Sequence, residues 1–424
     1  MSCLADAVSD LVDSRARLVS GDLNVTVQRV RRALARPVGL HGHVAVLLFW
    51  GRQQYTSVLR PYLERELVTN GGVVDEVWLC MTTPKRSDLQ AGRRWAAATP
   101  QVHAFNAVAN TTGGNFNYCY EHLPSHAAAK AGWQLQRTLL LKVDDDVVFV
   151  DRGALAYLAA HKMFHRSAAF RRRGIVLANV VNHGHLPFLH AALGTWTPRR
   201  CLGYFAQTAL PEPALRLSGE LQHVAFLQHL RDSLRQDPLS TGDSSGADGG
   251  RGGVHHGRGL EAYWFGSWDL NACNCTGLVP QRANRCAGGR FYRWGINVVA
   301  ISAASLLRFP DDNDEWWITA GWQTGISQEG RAVSIDGIAP DVIHAEVAGK
   351  AVVVHYAYSR QRQGKIDADG CLLRQYGLLA RNLGNWSIAA LGNLTCSMRE
   401  QHSARWGFAG KRNSLAGQRA YGVQ

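Results

Sequence analysis

The 424-residue sequence has no apolar run near the roughly 18 residues that a membrane-spanning helix needs, so we expect no membrane span within it. Its first 40 residues mix acids with arginines and contain no apolar core of the kind found in signal peptides. Glycine pairs such as Gly113-Gly114 do not stand at the spacing of a phosphate-binding loop. These absences indicate that this sequence contains neither a membrane span nor a phosphate-binding loop at those glycines.

The sequence also lacks a basic stripe interleaved with aromatic side chains, although its formal net charge is +13. The positive charge comes mostly from scattered arginines, with short clusters at 29–32, 171–173 and 199–200. Nucleic-acid-binding proteins concentrate Lys and Arg on one face, so we expect no nucleic acid as a partner. Attraction to anionic substrates explains the excess of positive charge as well as nucleic-acid binding does. Most single arginines are explained by a solvated surface.

No cysteine spacing matches a standard zinc-binding pattern, although the chain has nine cysteines. For the cluster at Cys273, Cys275 and Cys286, a disulfide or buried thiols is the favoured interpretation. Glycosylation sequons, which also arise by chance, are consistent with a glycoprotein of the secretory lumen. The five sequons begin at Asn24, Asn110, Asn274, Asn385 and Asn393.

Strand-like and helix-like patterns alternate from residue 43 to residue 105. His43–Trp50 is a nearly continuous apolar run, as in a strand buried within a parallel sheet. A helical pattern over Tyr55–Thr69 and a second strand over Val73–Cys80 follow, which predicts an α/β fold with a mostly parallel sheet flanked by helices. We divide the chain into an N-terminal helical arm (1–40), a first half of the fold (41–236), a disordered Gly/Ser/Asp-rich insertion (237–259), a second half (260–366) and a C-terminal extension (367–424).

Three consecutive acids, Asp144, Asp145 and Asp146, stand between two apolar runs that each have the length of a buried strand. Adjacent carboxylates repel one another and are costly to bury without a partner, so a cation is expected beside them. Mg²⁺ or Mn²⁺ suits a site of carboxylate and phosphate oxygens. On an extended segment Asp144 and Asp146 would project to the same side, where one ligates a metal and the other meets sugar or ribose hydroxyls.

Two later features are candidate partners of the triplet. A second acidic cluster, Asp311–Glu315, contains a carboxylate able to deprotonate an acceptor hydroxyl, unless the cluster is only an acidic turn that caps a helix. His355 stands near the end of the apolar run 351–356, either as a metal ligand from a distant strand or as a core histidine.

At these residues the chain resembles glycosyltransferases of the GT-A fold, in the galactosyltransferase- and fringe-like form. Lys142–Val150 looks like the metal-binding DxD segment of that superfamily, and Trp50-Gly51-Arg52 falls where such enzymes hold the nucleotide. Asp314-Glu315-Trp316-Trp317 falls at their acidic acceptor motif but departs from its Glu-Asp-Val-x-x-Gly form. His355 falls where a C-terminal histidine supplies a metal ligand.

The resemblance implies a GT-A-like sheet with a small antiparallel extension on the acceptor side. It also implies transfer of a hexose from a nucleotide-diphospho-sugar of the UDP-linked class to a hydroxyl on a glycan or glycoprotein, with Mn²⁺ or Mg²⁺. Residues 41–236 would then bind the nucleotide sugar and residues 260–366 the acceptor. The compartment would be the Golgi or secretory lumen if an anchor precedes Met1, and the cytoplasm otherwise.

The same resemblance assigns roles to individual residues. The metal ligands would be Asp144, Asp146 and His355. Asp314 or Glu315 would be the catalytic base. The nucleotide-sugar donor would be bound by residues of two segments, 50–52 and 142–145. They are Trp50, Gly51, Arg52, Lys142, Asp144 and Asp145.

Two other classes of protein fit parts of the pattern. In a haloacid-dehalogenase-like phosphatase Asp144 would be the nucleophile and Asp311-Asp312 the distal metal acids. There the chain leaves the strand through a turn after the second aspartate, whereas here Val147–Val150 continues as extended apolar sequence. A non-catalytic carbohydrate-binding protein of the same fold is the second alternative.

Overall fold

The structure of the protein is a computed structural model. It describes residues 23–36, 40–106, 116–131, 137–182, 190, 195, 212–235, 260–264, 267–269, 297–306, 345–357, 367 and 370–383. The triplet, Trp50-Gly51-Arg52 and His355 are therefore described, whereas Asp314 and Glu315 lie outside the described residues.

Eight α-helices and nine β-strands occur among the described residues. The helices are α1 Leu23–Leu34, α2 Gln53–Arg65, α3 Arg86–Ala98, α4 Phe116–Ala131, α5 Ala154–Phe164, α6 Ala168–Arg173, α7 Glu212–Arg235 and α8 Cys371–Arg381. The strands are β1 His43–Trp50, β2 Glu76–Met81, β3 Val102–Asn106, β4 Thr138–Val143, β5 Val147–Val150, β6 Ile175–Val181, β7 Ser267–Asp269, β8 Val298–Ser302 and β9 Ala345–His355.

All nine strands belong to one sheet in the order β3-β2-β1-β4-β8-β6-β9-β5, and β7 also pairs with β9. Strands β1, β2, β3, β4, β6 and β9 run in one direction, and β5, β7 and β8 run opposite to them. The expected α/β fold with a mostly parallel sheet flanked by helices is confirmed. Strands from both predicted halves share this sheet, while the domain boundaries themselves stay a prediction.

Continuous apolar sequence places the central strands in the interior. Every residue of β4, β5 and β6 is buried, as are seven of the eight residues of β1. Helix α2 covers this sheet with Tyr55, Val58, Leu59, Tyr62 and Leu63, whose spacing gives it one apolar face. The N-terminal arm contributes α1, which packs on α5 with Leu23 and Val30 buried.

Two elements begin earlier than their sequence patterns predict. Helix α4 starts at Phe116 rather than near His126, because Cys119, Tyr120, Leu123 and Ala127 form a buried stripe at helical spacing. Strand β9 starts at Ala345 rather than Ala351. Its partly buried Glu346 and Lys350 interrupt the apolar run, but pairing with β6 and β7 keeps the segment extended.

A disulfide joins Cys80 on β2 to Cys119 on α4, and both residues are fully buried. Cys371 at the start of α8 is also disulfide-bonded. The cysteine cluster at 273–286 lies outside the described residues, so its predicted state stays open. Among the described helices, none combines the length and the apolar character that crossing a membrane requires.

Asp151, which follows β5, makes the stability of the fold depend on pH. Burial raises the pKa of its carboxyl from 3.8 to about 7, against the lowering effect of the nearby Arg65 guanidinium. Between about pH 4 and pH 7 the native state therefore holds a proton that the unfolded chain has released. The stability contributed by this proton is full below pH 4 and is lost as the pH rises through 7.

Replacing Asp151 by asparagine removes this titration. We compare the free energy of unfolding of Asp151→Asn with that of the wild type. As the pH rises from 4 to 7, the difference between them is expected to shift by roughly 2–4 kcal/mol in favour of the variant, at about 1.4 kcal/mol per pKa unit. Urea unfolding at a series of pH values measures the difference. Parallel pH profiles of the two proteins would contradict the raised pKa.

Candidate functional site

The candidate site lies at one edge of the sheet, where strands that run in the same direction end. β1 ends at Trp50, β4 at Val143, β6 at Val181 and β9 at His355. Because these four strands are aligned, the polar residues that follow or end them are brought to one edge. In open α/β sheets ligands bind at this carboxyl edge.

The acidic triplet forms a turn between β4 and β5 rather than an extended segment. The Val147 amide donates to the Asp144 carbonyl at 3.4 Å, and Asp145 and Asp146 occupy the turn positions. The expectation that Asp144 and Asp146 share one side of a strand is therefore wrong. The turn forms because β4 and β5 occupy distant positions in the sheet, so the chain must leave the line of β4.

Asp144 faces Lys142 and Asn297. Its carboxylate accepts from the Lys142 ammonium at 2.5 Å and from the Asn297 side-chain amide at 3.1 Å, and its backbone amide donates to the Asn297 carbonyl at 2.9 Å. Lys142 is almost fully buried, and its ammonium lies 5.0 Å from the centre of the Phe49 ring. The structure therefore places Lys142 as the cationic partner of Asp144.

Arg52 joins the other two acids. Its guanidinium donates to both carboxylate oxygens of Asp145, with 2.8 Å from Nε to Oδ2, and its Nη2 donates to Asp146 Oδ2 at 3.0 Å. Burial alone would lower the pKa of Arg52, but the hydrogen bonds to Asp145 and the neighbouring aspartate charges outweigh it and raise that pKa. A two-pronged pairing of this kind fits the planar guanidinium and fixes the orientation of Asp145.

Gly51 allows this approach. A Cβ added at Gly51 would stand 2.8 Å from Asp145 Oδ2, closer than real Cβ contacts, so a side chain there would displace the Asp145 carboxylate. Trp50, the third member of the predicted nucleotide segment, is turned into the core. Its indole donates to the Asp88 carbonyl at 2.7 Å and its ring packs against Trp95.

Asp146 meets His355. The Nε2 atom of His355 lies 3.2 Å from Asp146 Oδ2, and both side chains are buried. The Tyr356 amide also donates to the Asp146 carbonyl at 2.8 Å, which ties the end of β9 to the triplet. Two residues that are 209 positions apart in the sequence (355 minus 146) are thus held side by side.

Behind His355 lies a buried polar network that the sequence patterns do not reveal. The His355 Nδ1 atom lies 3.3 Å from the Asn182 carbonyl oxygen, and the Asn182 side chain donates to the Tyr356 carbonyl at 2.9 Å. His223 on α7 contacts the Tyr356 carbonyl at 2.8 Å and the Tyr376 hydroxyl at 2.9 Å. Burial lowers the pKa of His223 to about 4, so its ring is neutral near pH 7.

A divalent cation would find two suitable donors in this site, the Asp146 carboxylate and the His355 Nε2 atom. A separation of 3.2 Å between them is close to that of adjacent ligands about 2.1 Å from one ion at a right angle. Within the described residues, no group of three or more His, Cys, Asp and Glu side chains is placed to hold a metal. Asp144 points to Lys142 instead, and the roles predicted for Asp314 and Glu315 stay predictions because they lie outside the described residues.

The charges at the site favour one further cation. Three carboxylates, those of Asp144, Asp145 and Asp146, face two cationic side chains, those of Lys142 and Arg52. Three negative charges against two positive ones leave one formal negative charge on these five side chains. That remainder suits a divalent metal bound together with an anionic ligand.

Comparisons with known proteins give little further constraint. No family model matches the chain, and no curated protein matches it significantly. Among solved structures it is similar to glucosyl-3-phosphoglycerate synthase from Mycobacterium tuberculosis in complex with Mn²⁺, UDP-glucose and phosphoglyceric acid. The identity is 13%, the TM-score is 0.36, and the match covers 84% of this chain and 83% of that one. A similarity at this level does not establish a shared activity.

Proposed function

We propose that the protein is a metal-dependent glycosyltransferase that moves a hexose from a nucleotide-diphospho-sugar, of the UDP-linked class, to a hydroxyl acceptor on a glycan or glycoprotein. The observation that carries the proposal is the meeting of Asp146 and His355 at the carboxyl edge of the parallel strands. The DxD-like form of Lys142–Val150 agrees with it. The residual negative charge of the triplet supports a cation there.

In this proposal Asp146 and His355 hold Mn²⁺ or Mg²⁺, with Asp144 as the third ligand taken from the resemblance. The metal, when bound, acts as a Lewis acid on the departing diphosphate oxygens. The protein orients the donor through Arg52 and Lys142, whose charges suit phosphate groups and whose positions are set by Asp145 and Asp144. Asp314 or Glu315 is proposed as the base that takes the acceptor proton.

We also propose an oxidising compartment, the secretory pathway, as the site of action. Support comes from the Cys80–Cys119 disulfide, because disulfides persist in secretory compartments and are rare in the cytosol. The first sequon agrees, since Asn24 is exposed on α1. Mass spectrometry of protein isolated from its native cells, with and without glycosidase treatment, tests this assignment.

A thermal-shift matrix tests the proposed activity. UDP-sugars and UDP, each with Mn²⁺, Mg²⁺ or a chelator, are expected to raise the melting temperature by a few degrees only when nucleotide and metal are both present. At a ligand concentration of 100 times Kd the stabilisation is about 2.7 kcal/mol. The Asp146→Asn protein is the matched control and should show no metal-dependent shift.

Three outcomes would contradict the proposal. If no nucleotide sugar stabilises the protein with any metal, the donor site is absent. If a phosphate ester leaves a covalent aspartyl-phosphate on Asp144, the phosphatase alternative is correct. If free glycans bind but donor turnover is absent with every metal, the protein is a carbohydrate-binding module.

A further inference from the structure

Tyr356 is the residue at which several elements meet beside the candidate site. Its amide donates to the Asp146 carbonyl at 2.8 Å, and its carbonyl accepts from the Asn182 side chain at 2.9 Å. Its ring packs against Tyr55 on α2, with 4.8 Å between the ring centres, and the residue is buried. The position of Tyr356 therefore determines how the end of β9 lies against the acidic triplet.

The Tyr356 hydroxyl is bound by Asp367. It donates to Asp367 Oδ2 at 2.8 Å, and the same carboxylate accepts from the backbone amides of Leu372 and Leu373 at 2.8 Å and 2.9 Å. These two amides belong to the first turn of α8, where backbone donors have no partner within the helix. Gly370, in the N-cap position, has no side chain to accept from them. Asp367 thus caps α8 and binds Tyr356 with one carboxylate.

The backbone of Asp367 has an unusual conformation. Its φ is +54°, in the left-handed region that residues other than glycine rarely adopt. The Gly370 amide donates to the Asp367 carbonyl at 2.8 Å and closes the turn before α8. Such a conformation persists where the surroundings over-determine it. Here the contacts of the carboxylate with α8 and with Tyr356 are the constraints.

A series of contacts leads from Tyr356 to the cationic side of the site. Tyr55 stands three residues after Arg52, and the Arg52 Cζ atom lies 5.4 Å from the centre of the Tyr55 ring. Arg52 in turn donates to Asp145 and Asp146. A Tyr356 ring without its anchor would support Tyr55 less firmly, and the orientation of the guanidinium would be less well fixed.

We propose that Asp367 is a positioning residue for the donor site, which acts by holding the Tyr356 hydroxyl. With that hydrogen bond in place, the Tyr356 ring supports Tyr55 and the Tyr356 amide supports the triplet turn before a donor binds. A site that is ordered in advance loses less of the binding energy of its ligand to ordering. The inference rests on the proposed function in so far as the site is taken to bind a nucleotide sugar.

Two tyrosine variants separate the hydrogen bond from the ring. Tyr356→Phe keeps the ring and the cap of α8 and loses only the bond to Asp367. Tyr62→Phe is the matched control, because Tyr62 is a fully buried tyrosine of α2 whose hydroxyl makes no hydrogen bond to any described residue. Asp367→Asn is the complementary variant, since asparagine tolerates a positive φ and keeps one oxygen for the cap.

Hydrogen–deuterium exchange measures the positioning without metal, donor or activity. In a peptide that contains residues 353–357, exchange should be about 10-fold faster in Tyr356→Phe than in the wild type, because a hydrogen bond to a charged group is lost. Asp367→Asn should change in the same direction. Tyr62→Phe should exchange like the wild type in that peptide, and strand β1 should be unaffected in all three variants.

Steady-state kinetics measure the consequence for the donor. In Tyr356→Phe the KM for the nucleotide sugar is expected to rise about 10-fold, while kcat at saturating donor changes less than about threefold. The donor must then order the site as it binds. A variant whose fold was merely destabilised would instead lose active protein, which lowers kcat and leaves KM unchanged. Tyr62→Phe should keep the wild-type values of both constants.

Two results would overturn the inference. One is wild-type exchange of residues 353–357 in Tyr356→Phe, and the other is faster exchange with an unchanged KM for the donor. If Tyr356→Phe does not fold, the same two measurements on Asp367→Asn decide the question. Faster exchange in a protein that no nucleotide sugar stabilises and that transfers no sugar would disprove the proposed function and leave the anchoring of Tyr356 by Asp367 intact.

Discussion

Replacing Asp146 by asparagine is expected to lower metal-dependent sugar transfer by about a thousandfold while the protein remains folded. Asparagine keeps the volume of the side chain but removes the charge that faces both His355 and Arg52. The backbone carbonyl of residue 146 still accepts from Tyr356, and Arg52 remains bound to Asp145 through two contacts. Initial rates with a UDP-sugar across a Mn²⁺ titration measure the effect, and circular dichroism measures the fold.

Asp151→Asn is the matched control for that experiment. Asp151 is another buried carboxyl a few residues along the same segment, but it contacts the Arg152 amide rather than the site. Its replacement should leave transfer near the wild-type level. If Asp146→Asn keeps full Mn²⁺-dependent activity, or if both variants lose activity equally, Asp146 is not a specific metal ligand.

Removal of the Cys80–Cys119 disulfide is expected to lower the free energy of unfolding by about 3–4 kcal/mol, from the entropy of closing a loop of about 40 residues. The bond links positions 39 residues apart and joins the second strand of the parallel sheet to α4. The double variant Cys80→Ala/Cys119→Ala avoids leaving one buried thiol without its partner. Urea unfolding compares it with the wild type.

Reduction provides the control for this prediction. A reducing agent should lower the stability of the wild type by at least the amount lost in the double variant, because Cys371 is disulfide-bonded as well. In the double variant the same treatment should have the smaller effect. Equal stability of the wild type and the double variant under oxidising conditions would show that the bond does not constrain the unfolded chain.

Local sequence was sufficient to predict an element where its composition alone requires burial. The apolar run His43–Trp50 is stable only in the protein interior, and β1 has the predicted bounds. The runs on either side of the triplet likewise became the buried strands β4 and β5. Polar segments with weaker patterns were predicted less well, as the early starts of α4 and β9 show.

The sequence indicated several residues that the structure brings close together, but it did not indicate their geometry. His355 was a candidate because a histidine ends an apolar strand, and the structure places it against Asp146. The partner of each carboxylate in the triplet was not predictable, because it depends on the turn after β4 and on which cationic side chains lie nearby. No sequence pattern indicated the polar network behind His355, which includes Asn182, His223 and Tyr376. Single polar residues within apolar segments occur in many protein cores.

The sequence by itself determined the α/β class, the two strands beside the triplet and the need for cations near three adjacent acids, because hydrophobic burial and charge repulsion act over a few neighbouring residues. Only the tertiary structure decided that Arg52 pairs with Asp145, that Lys142 pairs with Asp144 and that Asp146 lies between Arg52 and His355. The order of strands in the sheet sets those partnerships. That order depends on contacts between segments up to about 200 residues apart, which no local pattern encodes.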